Sequence, residues 1–302
     1  QQPGLFGGPI YTWSKAMSAL ALADRIEAAT GVPTAAIFWA ATDDADFAEA
    51  ASTVVARVGG AHVLSATLTP PAGTPLSLAP LGDLTTALRL LRDASGSAAD
   101  VRPLDAVDAA YGAPARSAGD AYVLLLRELL APLGMPVLDA SHPAVRAASD
   151  PTLRAALRGA RDIEAALATR SADLRAAGYA PQVEDVAGLS LVFTRQDGIK
   201  RRLTVQEAAG ATDGWFTPNV LLRPVVERAI LPTIAYVAGP GELAYFAQVG
   251  AVASAIGVDR PLAVPRWSCT IVEPQVQALL ARYSVDVQDL ATPDALESRV
   301  AR

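Results

Sequence analysis

The sequence is poor in the residues that most often mark a site: one cysteine, two histidines and two lysines among 302 residues. A single thiol, Cys269, rules out an internal disulfide and fits a reducing compartment. It stands in an apolar-flanked stretch that reads as a strand, so it is expected to be a small buried hydrophobe, the other reading being a nucleophile. No apolar run reaches the roughly eighteen residues a membrane helix needs, and the N-terminus shows no basic-then-apolar leader. The expectation is a cytoplasmic protein without a membrane partner. A formal charge of −6, with no lysine or arginine cluster on any predicted helix, argues against a nucleic-acid surface and for a small-molecule substrate. There is no short-period repeat, heptad run or low-complexity tract.

All but two of the 25 basic residues are arginine. Such a bias reads as genome composition, but the two lysines differ in context. Lys15 lies inside a motif, where a compact charge suits a carboxylate or phosphate. Lys200 follows the turn Asp197-Gly198 and reads as a solvated hairpin residue.

Half the residues are hydrophobic, enough for a sizeable core. Helical spacing runs from Tyr11 to Ala29, with Thr12 or Ser14 as cap and Gly31 as the stop. Pro33 to Ala40 is a continuous apolar run, as in a strand buried on both faces of a parallel sheet, and the acidic run Asp43 to Asp46 follows its carboxyl end, where open α/β sheets bind ligands. Ala61–Leu68 reads as a strand and Thr69–Pro80 as a connector leaving the sheet. Leu81–Ala94 and Ala121–Ala131 are helical, Met135–Asp139 is a short strand, and Pro151–Gly178 is one long surface or inter-domain helix. Leu189–Thr194 and Arg201–Val205 form a hairpin about Asp197-Gly198; Ile230–Ala238 is a strand and Glu242–Ile256 its helix. The fold class expected is α/β, a mostly parallel sheet within one core over 1–302, with inserted connecting segments near 69–117 and 151–217.

Two turns carry the functional signal. Gly7-Gly8-Pro9 and Gly239-Pro240-Gly241 each precede a helix, so free N–H groups and a positive helix end would face whatever the loop holds. Ordinary strand-to-helix turns are the alternative. Asp43, Asp44 and Asp46 can hold a metal, with Asp44 and Asp46 the leading candidates, or act as helix-start acids. Glu242 and Tyr245 share a helix face, which Gln248, six residues from Glu242, cannot fully join. His62 and His142 read as structural, although His142 follows the strand-end Asp139.

The blocks Gln1-Gln2-Pro3-Gly4-Leu5-Phe6-Gly7-Gly8-Pro9-Ile10-Tyr11, Phe38-Trp39 with its acidic run, Asn219-Val220-Leu221-Leu222-Arg223-Pro224 and Ala238-Gly239-Pro240-Gly241-Glu242-Leu243-Ala244-Tyr245 resemble, in order, those of the BshC family of bacillithiol-synthesis cysteine ligases. The resemblance implies a Rossmann-like core and a reaction joining the carboxyl group of cysteine to the amine of glucosaminyl-malate. A free carboxylate must first be activated, so ATP and Mg²⁺ are expected cofactors, although neither a Walker-type loop nor a complete G-x-G-x-x-G is present. Oligomeric state stays open.

On this reading Gln2, Gly7, Gly8, Tyr11, Lys15, Trp39, Asn219, Arg223, Gly239, Gly241, Glu242, Tyr245, Gln248 and Arg266 bind substrate or nucleotide, and Asp43, Asp44 and Asp46 are catalytic. Lys15 and Arg266 supply positive charge to the turns, Arg223 suits a malate carboxylate, and Glu242 suits an amine. Structural readings stand beside these: a salt bridge for Arg223, core or pocket wall for Trp39 and Trp267. The chain departs from the family where an EDHD-type run reads Asp43-Asp44-Ala45-Asp46, with Ala45 in the histidine place. It also lacks a stretch resembling the family's coiled coil and begins inside a motif that glycine usually precedes. A truncated or divergent member is expected, with a non-catalytic binding homologue or another nucleotidyl-transferring enzyme as alternatives.

Overall fold

The computed structural model describes residues 1–57, 60–96, 100–113, 116–184 and 186–291. Gln1–Arg266 forms one compact unit, and a smaller one begins at Trp267.

The larger unit runs α1 (Ile10–Thr30), β1 (Phe38–Ala40), α2 (Phe47–Ala50), β2 (Ser52–Arg57), β3 (Gly60–Ser65), α3 (Thr85–Ser95), α4 (Val101–Tyr111), α5 (Ala118–Leu130), β4 (Val137–Asp139), α6 (Pro143–Arg158), α7 (Ala160–Ala176), β5 (Leu189–Gln196), β6 (Ile199–Thr204), α8 (Val205–Gly210), β7 (Phe216–Pro218), α9 (Arg223–Ile230), β8 (Tyr236–Ala238), α10 (Pro240–Ala255) and β9 (Ala263–Pro265). The smaller unit holds α11 (Pro274–Arg282).

Parallel pairing joins β1 to β4, with Trp39 opposite Leu138, and β8 to β9, with Val237 opposite Val264. Both pairs are shorter than the apolar runs that announced them. Of residues 33–40 only three enter β1, and α9 continues to Ile230, leaving Tyr236–Ala238 as strand. β2 and β3 form an antiparallel hairpin, so the strand expected at Ala61–Leu68 lies outside the parallel pairs. β5, β6 and β7 make the antiparallel insertion that Asp197-Gly198 announced, both turn residues having positive φ.

α1 starts at Pro9, which fixes the direction in which the chain enters the helix but offers no side-chain cap; Thr12 and Ser14 lie inside the helix rather than capping it. Gly31 closes it as expected. The helix expected over Pro151–Gly178 is two helices meeting at Gly159, the first starting at Pro143. Thr69–Pro80 does not leave the sheet: Leu76 and Ala79 are fully buried, Leu76 N–H donates to the Asp44 carbonyl at 2.7 Å, and Ser77 N–H to that of Thr42 at 2.8 Å. The connector therefore braces the acidic run.

Three apolar clusters support this frame. Ala16, Phe38, Tyr122, Leu126 and Val137 pack α1 and α5 around the first parallel pair. Leu5, Leu76, Tyr111 and Leu125 lie under the first turn. Leu157, Val192, Val225 and Val249 join α6, β5, α9 and α10. Burying such side chains contributes about 1.5–3 kcal/mol each, so both turns stand on rigid ground. Cys269, in the smaller unit, is exposed outside any strand, and Trp267 is exposed too, correcting the buried reading of both.

Candidate functional site

The first turn is a single 3₁₀ turn, Leu5–Gly7. Gly7 N–H donates to the Gly4 carbonyl and Gly8 N–H to that of Leu5, both at 3.1 Å. With φ of 95° and 78°, these are positions glycine adopts without strain. In the second turn, Gly239 N–H donates to Glu242 Oε2 at 2.8 Å, closing the start of α10. These three N–H groups are satisfied inside the chain, while Gly241, also in the second turn, stands in the first turn of α10.

One turn into α1, Lys15 Nζ meets both Glu242 oxygens at 2.6 Å across 227 residues of sequence. It also lies 5.4 Å over the Tyr236 ring, whose hydroxyl donates to Glu242 Oε1 at 3.4 Å. Burial lowers the Lys15 pKa and Glu242 opposes the shift. Burial would raise Glu242, but Lys15 and the Gly239 N–H outweigh it and hold the carboxyl below its ordinary range.

A cavity of about 470 Å³ opens beside this pair. Its lining includes Gln2, Tyr11, Lys15, Asp44, Arg223, Gly239, Gly241, Glu242, Tyr245 and Arg266, which sequence reasoning named, and Gln1, Glu49, Gln182, Val220 and Pro240, which it did not. Arg266 reaches it over the Tyr11 ring at 5.5 Å and donates to Ser14 Oγ at 3.2 Å. Arg223 Nε lies 3.7 Å from Glu227 Oε1, one turn along α9, and neither atom has a hydrogen-bond partner. Burial pushes the Glu227 carboxyl up to about 7, with Arg223 opposing. The cavity wall carries three cationic side chains, Lys15, Arg223 and Arg266, and three carboxylates, Asp44, Glu49 and Glu242; Lys15 is paired with Glu242, and Arg223 with Glu227 behind the wall, so charged groups of either sign meet polar partners here.

The chain matches a family model described as "Bacillithiol biosynthesis BshC, N-terminal Rossmann-like domain" over residues 1–214 and 205–267. The chain belongs to the BshC family. Proteins named "Putative cysteine ligase BshC" are similar to it along its length. That of Solibacter usitatus is 33% identical over 96% of this chain and 57% of the relative. That of Koribacter versatilis is 34% identical over 100% and 60%, and that of Salinibacter ruber 32% over 98% and 58%. The chain therefore spans a little under three fifths of these relatives' length.

In this BshC-family chain the acidic run is divided. Asp43 turns inward and is buried 3.9 Å from Lys200 Nζ, which also donates to the Asp43 carbonyl at 2.7 Å. Burial raises the Asp43 carboxyl and Lys200 opposes it. Lys200 is accordingly not the solvated residue its turn suggested: the hairpin carries it onto the acidic run. Asp44 alone of the three lines the cavity, with Oδ1 accepting from Ala45 N–H at 2.7 Å and Asp46 N–H at 3.3 Å. Asp46 caps α2 through Glu49 N–H at 3.3 Å. Among the described residues no group of three His, Cys, Asp or Glu side chains converges as a metal cage. Of the two aspartates named for a metal, Asp44 lines the cavity and Asp46 caps α2.

Two further residues named for binding, Asn219 and Gln248, serve the frame, and a third, Trp39, lines a groove. Asn219 Oδ1 accepts from Leu221 and Leu222 N–H at 3.1 and 3.0 Å, closing the turn that aims Arg223. Gln248, fully buried, pairs both ends of its amide with the Val183 backbone. Trp39 lines a separate, mainly apolar groove of about 400 Å³ between α1 and residues 231–237. His142 caps α6 and His62 is an exposed strand residue; neither lines the cavity.

Glu49 and Glu227 are the acidic residues that sequence reasoning missed. Glu49 has a weak signal, three residues after the capping Asp46. Glu227 has its spacing of four from Arg223.

Proposed function

We propose that this chain carries the substrate cavity of an amide-forming ligase that adds cysteine to glucosaminyl-malate. The observation behind the reading is the convergence of two turns some 230 residues apart, through the Lys15–Glu242 pair, on one cavity that Arg223 and Arg266 also line. The relatives' name supplies the reaction class, and bacillithiol biosynthesis supplies the acceptor.

Forming the amide requires that one carboxylate oxygen of cysteine leave with an activating group and that the attacking amine lose a proton. A nucleotide such as ATP is the source of that group in this reading. Arg223 and Arg266 hold anionic groups, a malate carboxylate or a phosphate, and lower the repulsion between them. Lys15 neutralises Glu242, so that the carboxylate presents a hydrogen-bond acceptor without adding net charge. Asp44, which accepts two backbone N–H groups and lines the cavity, is assigned the role of accepting the amine proton.

The test is a purified-protein assay with glucosaminyl-malate, cysteine and magnesium-ATP, following bacillithiol by mass spectrometry, with Asp44→Asn as control. Product that falls at least a hundredfold in the control supports the ligase. Substrate binding by calorimetry without product overturns it. That outcome would favour a binding homologue, the reading suggested by Ala45 in the place of the family histidine, and Ala45→His is then the variant to assay.

A further inference from the structure

We infer that Glu227 is a positioning residue for Arg223: from behind the cavity wall its carboxyl sets how much of the guanidinium charge an anion in the cavity meets. The inference rests on the cavity taking an anion, as proposed above, and not on the reaction that follows.

The geometry separates the two side chains. Arg223 lines the polar cavity, whereas Glu227 lines the apolar groove on the other side of the same wall. They sit four residues apart on α9, at 13% and 8% side-chain exposure. At 3.7 Å, the contact is an ion pair that has not closed into a hydrogen bond. Arg223 Nε and Glu227 Oε1 are both buried without a hydrogen-bond partner, an expensive condition that closure of the pair would relieve.

The charged and titratable groups around Glu227 explain why this acid matters. Lys15 faces it from α1, Arg223 from its own helix, Tyr236 from β8, and Glu242 and Tyr245 from α10. Glu242 is committed to Lys15, and two acids remain near Arg223: Glu227 at 3.7 Å behind the wall, and Asp44, which lines the cavity with it. Burial raises the Glu227 carboxyl toward neutrality, and Arg223 opposes it. Protonated, it leaves the Arg223 charge to the cavity; ionised, it closes on the guanidinium and competes with the anion. The cavity's affinity for an anion therefore falls as pH rises through neutrality.

Inorganic sulfate is the probe, because its own charge does not change over the range. Calorimetric titrations from about pH 5.5 to about pH 8.5 should show wild-type affinity falling on the order of tenfold, the scale of one added charge behind the site. Glu227→Gln should keep the low-pH affinity throughout, Glu227→Asp should restore a pH slope, and Arg223→Gln should weaken binding at every pH. An unchanged slope in Glu227→Gln, or no sulfate binding by the wild type at any pH, overturns the inference. If Glu227→Gln does not fold, side-chain carboxyl ¹³C shifts of the wild type decide. A Glu227 midpoint near neutrality that moves on adding sulfate supports the inference, and one in the ordinary range of a solvated glutamate overturns it. Turnover enters none of these readouts, so a failed ligase assay with an intact sulfate response would sink the reaction and leave this assignment standing.

Discussion

The turn at Gly7-Gly8-Pro9 closes on its own backbone, whereas the turn at Gly239-Pro240-Gly241 closes on a side chain, Glu242. The first needs glycine at two positive-φ positions and is packed against Trp13 and Leu125. The second has no positive φ and leaves Gly241 open to the cavity. Both nevertheless start a helix with proline and send a charged side chain from its first turns to the same point, where Lys15 and Glu242 meet. The first turn is thus a rigid mount, and the second is held by the same carboxylate that faces the cavity. In the second, closure of the turn and site chemistry depend on one residue.

The largest expected effect tests that dependence. Glu242→Gln leaves Lys15 buried without its partner and weakens the Gly239 closure, so it should cost about 3–5 kcal/mol in chemical denaturation. Lys15→Met should cost less, because Glu242 keeps the Gly239 and Tyr236 contacts. The double variant should recover a large part of the Glu242→Gln loss. Single losses below about 1 kcal/mol would mean that the pair behaves as a solvated one and that the two turns are independent.

A second test uses the opposite shifts of two acids near that point. Glu227 is raised from 4.5 to about 7, so the folded chain holds a proton that the unfolded chain has released. Its stabilising contribution is complete below about pH 4.5 and is lost as pH rises through 7. Glu242 is lowered, so its contribution is present above the ordinary glutamate range and is lost as pH falls through the folded value. Glu227→Gln should therefore flatten the decline between acid and neutral pH by about 3 kcal/mol, while Glu242→Gln should flatten the acid limb. Urea midpoints across pH distinguish the two, and a single variant that removes both slopes would show one coupled group rather than two.

A third, smaller effect concerns the rigid mount alone. Gly7→Ala forces a side chain into a φ of 95° and brings its Cβ to 3.0 Å from the Trp13 ring. The expected loss is about 1–3 kcal/mol with sulfate affinity nearly unchanged in the fraction that remains folded. Lost affinity without lost stability would show that this turn holds the ligand after all.

The parts of this arrangement that could be read from the chain are those where one short rule decides. Asp197-Gly198 announced a hairpin, Gly31 ended α1, and the glycine–proline turns announced two helices and their neighbouring Lys15, Tyr11, Glu242 and Tyr245. What could not be read depends on partners far along the chain. Gln248 looked like a ligand until the Val183 backbone, 65 residues away, took both ends of its amide. Lys200 looked solvated because nothing local shows that its hairpin lands on Asp43. The three aspartates look equivalent in a run, and only the bracing by Leu76 and Ser77 separates the buried one from the one that lines the cavity. Apolar runs fixed where β1 and β8 lie but not their length, because pairing, not hydropathy, ends a strand.

Gly241 gives the smallest effect and the sharpest contrast with Gly7. Nothing lies within 4 Å of where its Cβ would stand, and it is in the first turn of α10 with an ordinary helical φ. Alanine there removes backbone freedom from the unfolded chain without strain in the folded one, so Gly241→Ala should be neutral or stabilising by up to about 1 kcal/mol. The same methyl group would project into the cavity beside Glu242, so sulfate binding should tolerate it while a bulkier anionic substrate binds more weakly. Unchanged affinity for both would place the substrate away from the start of α10, against Arg223 and Asp44 instead, and the second turn would then act on the site only through Glu242.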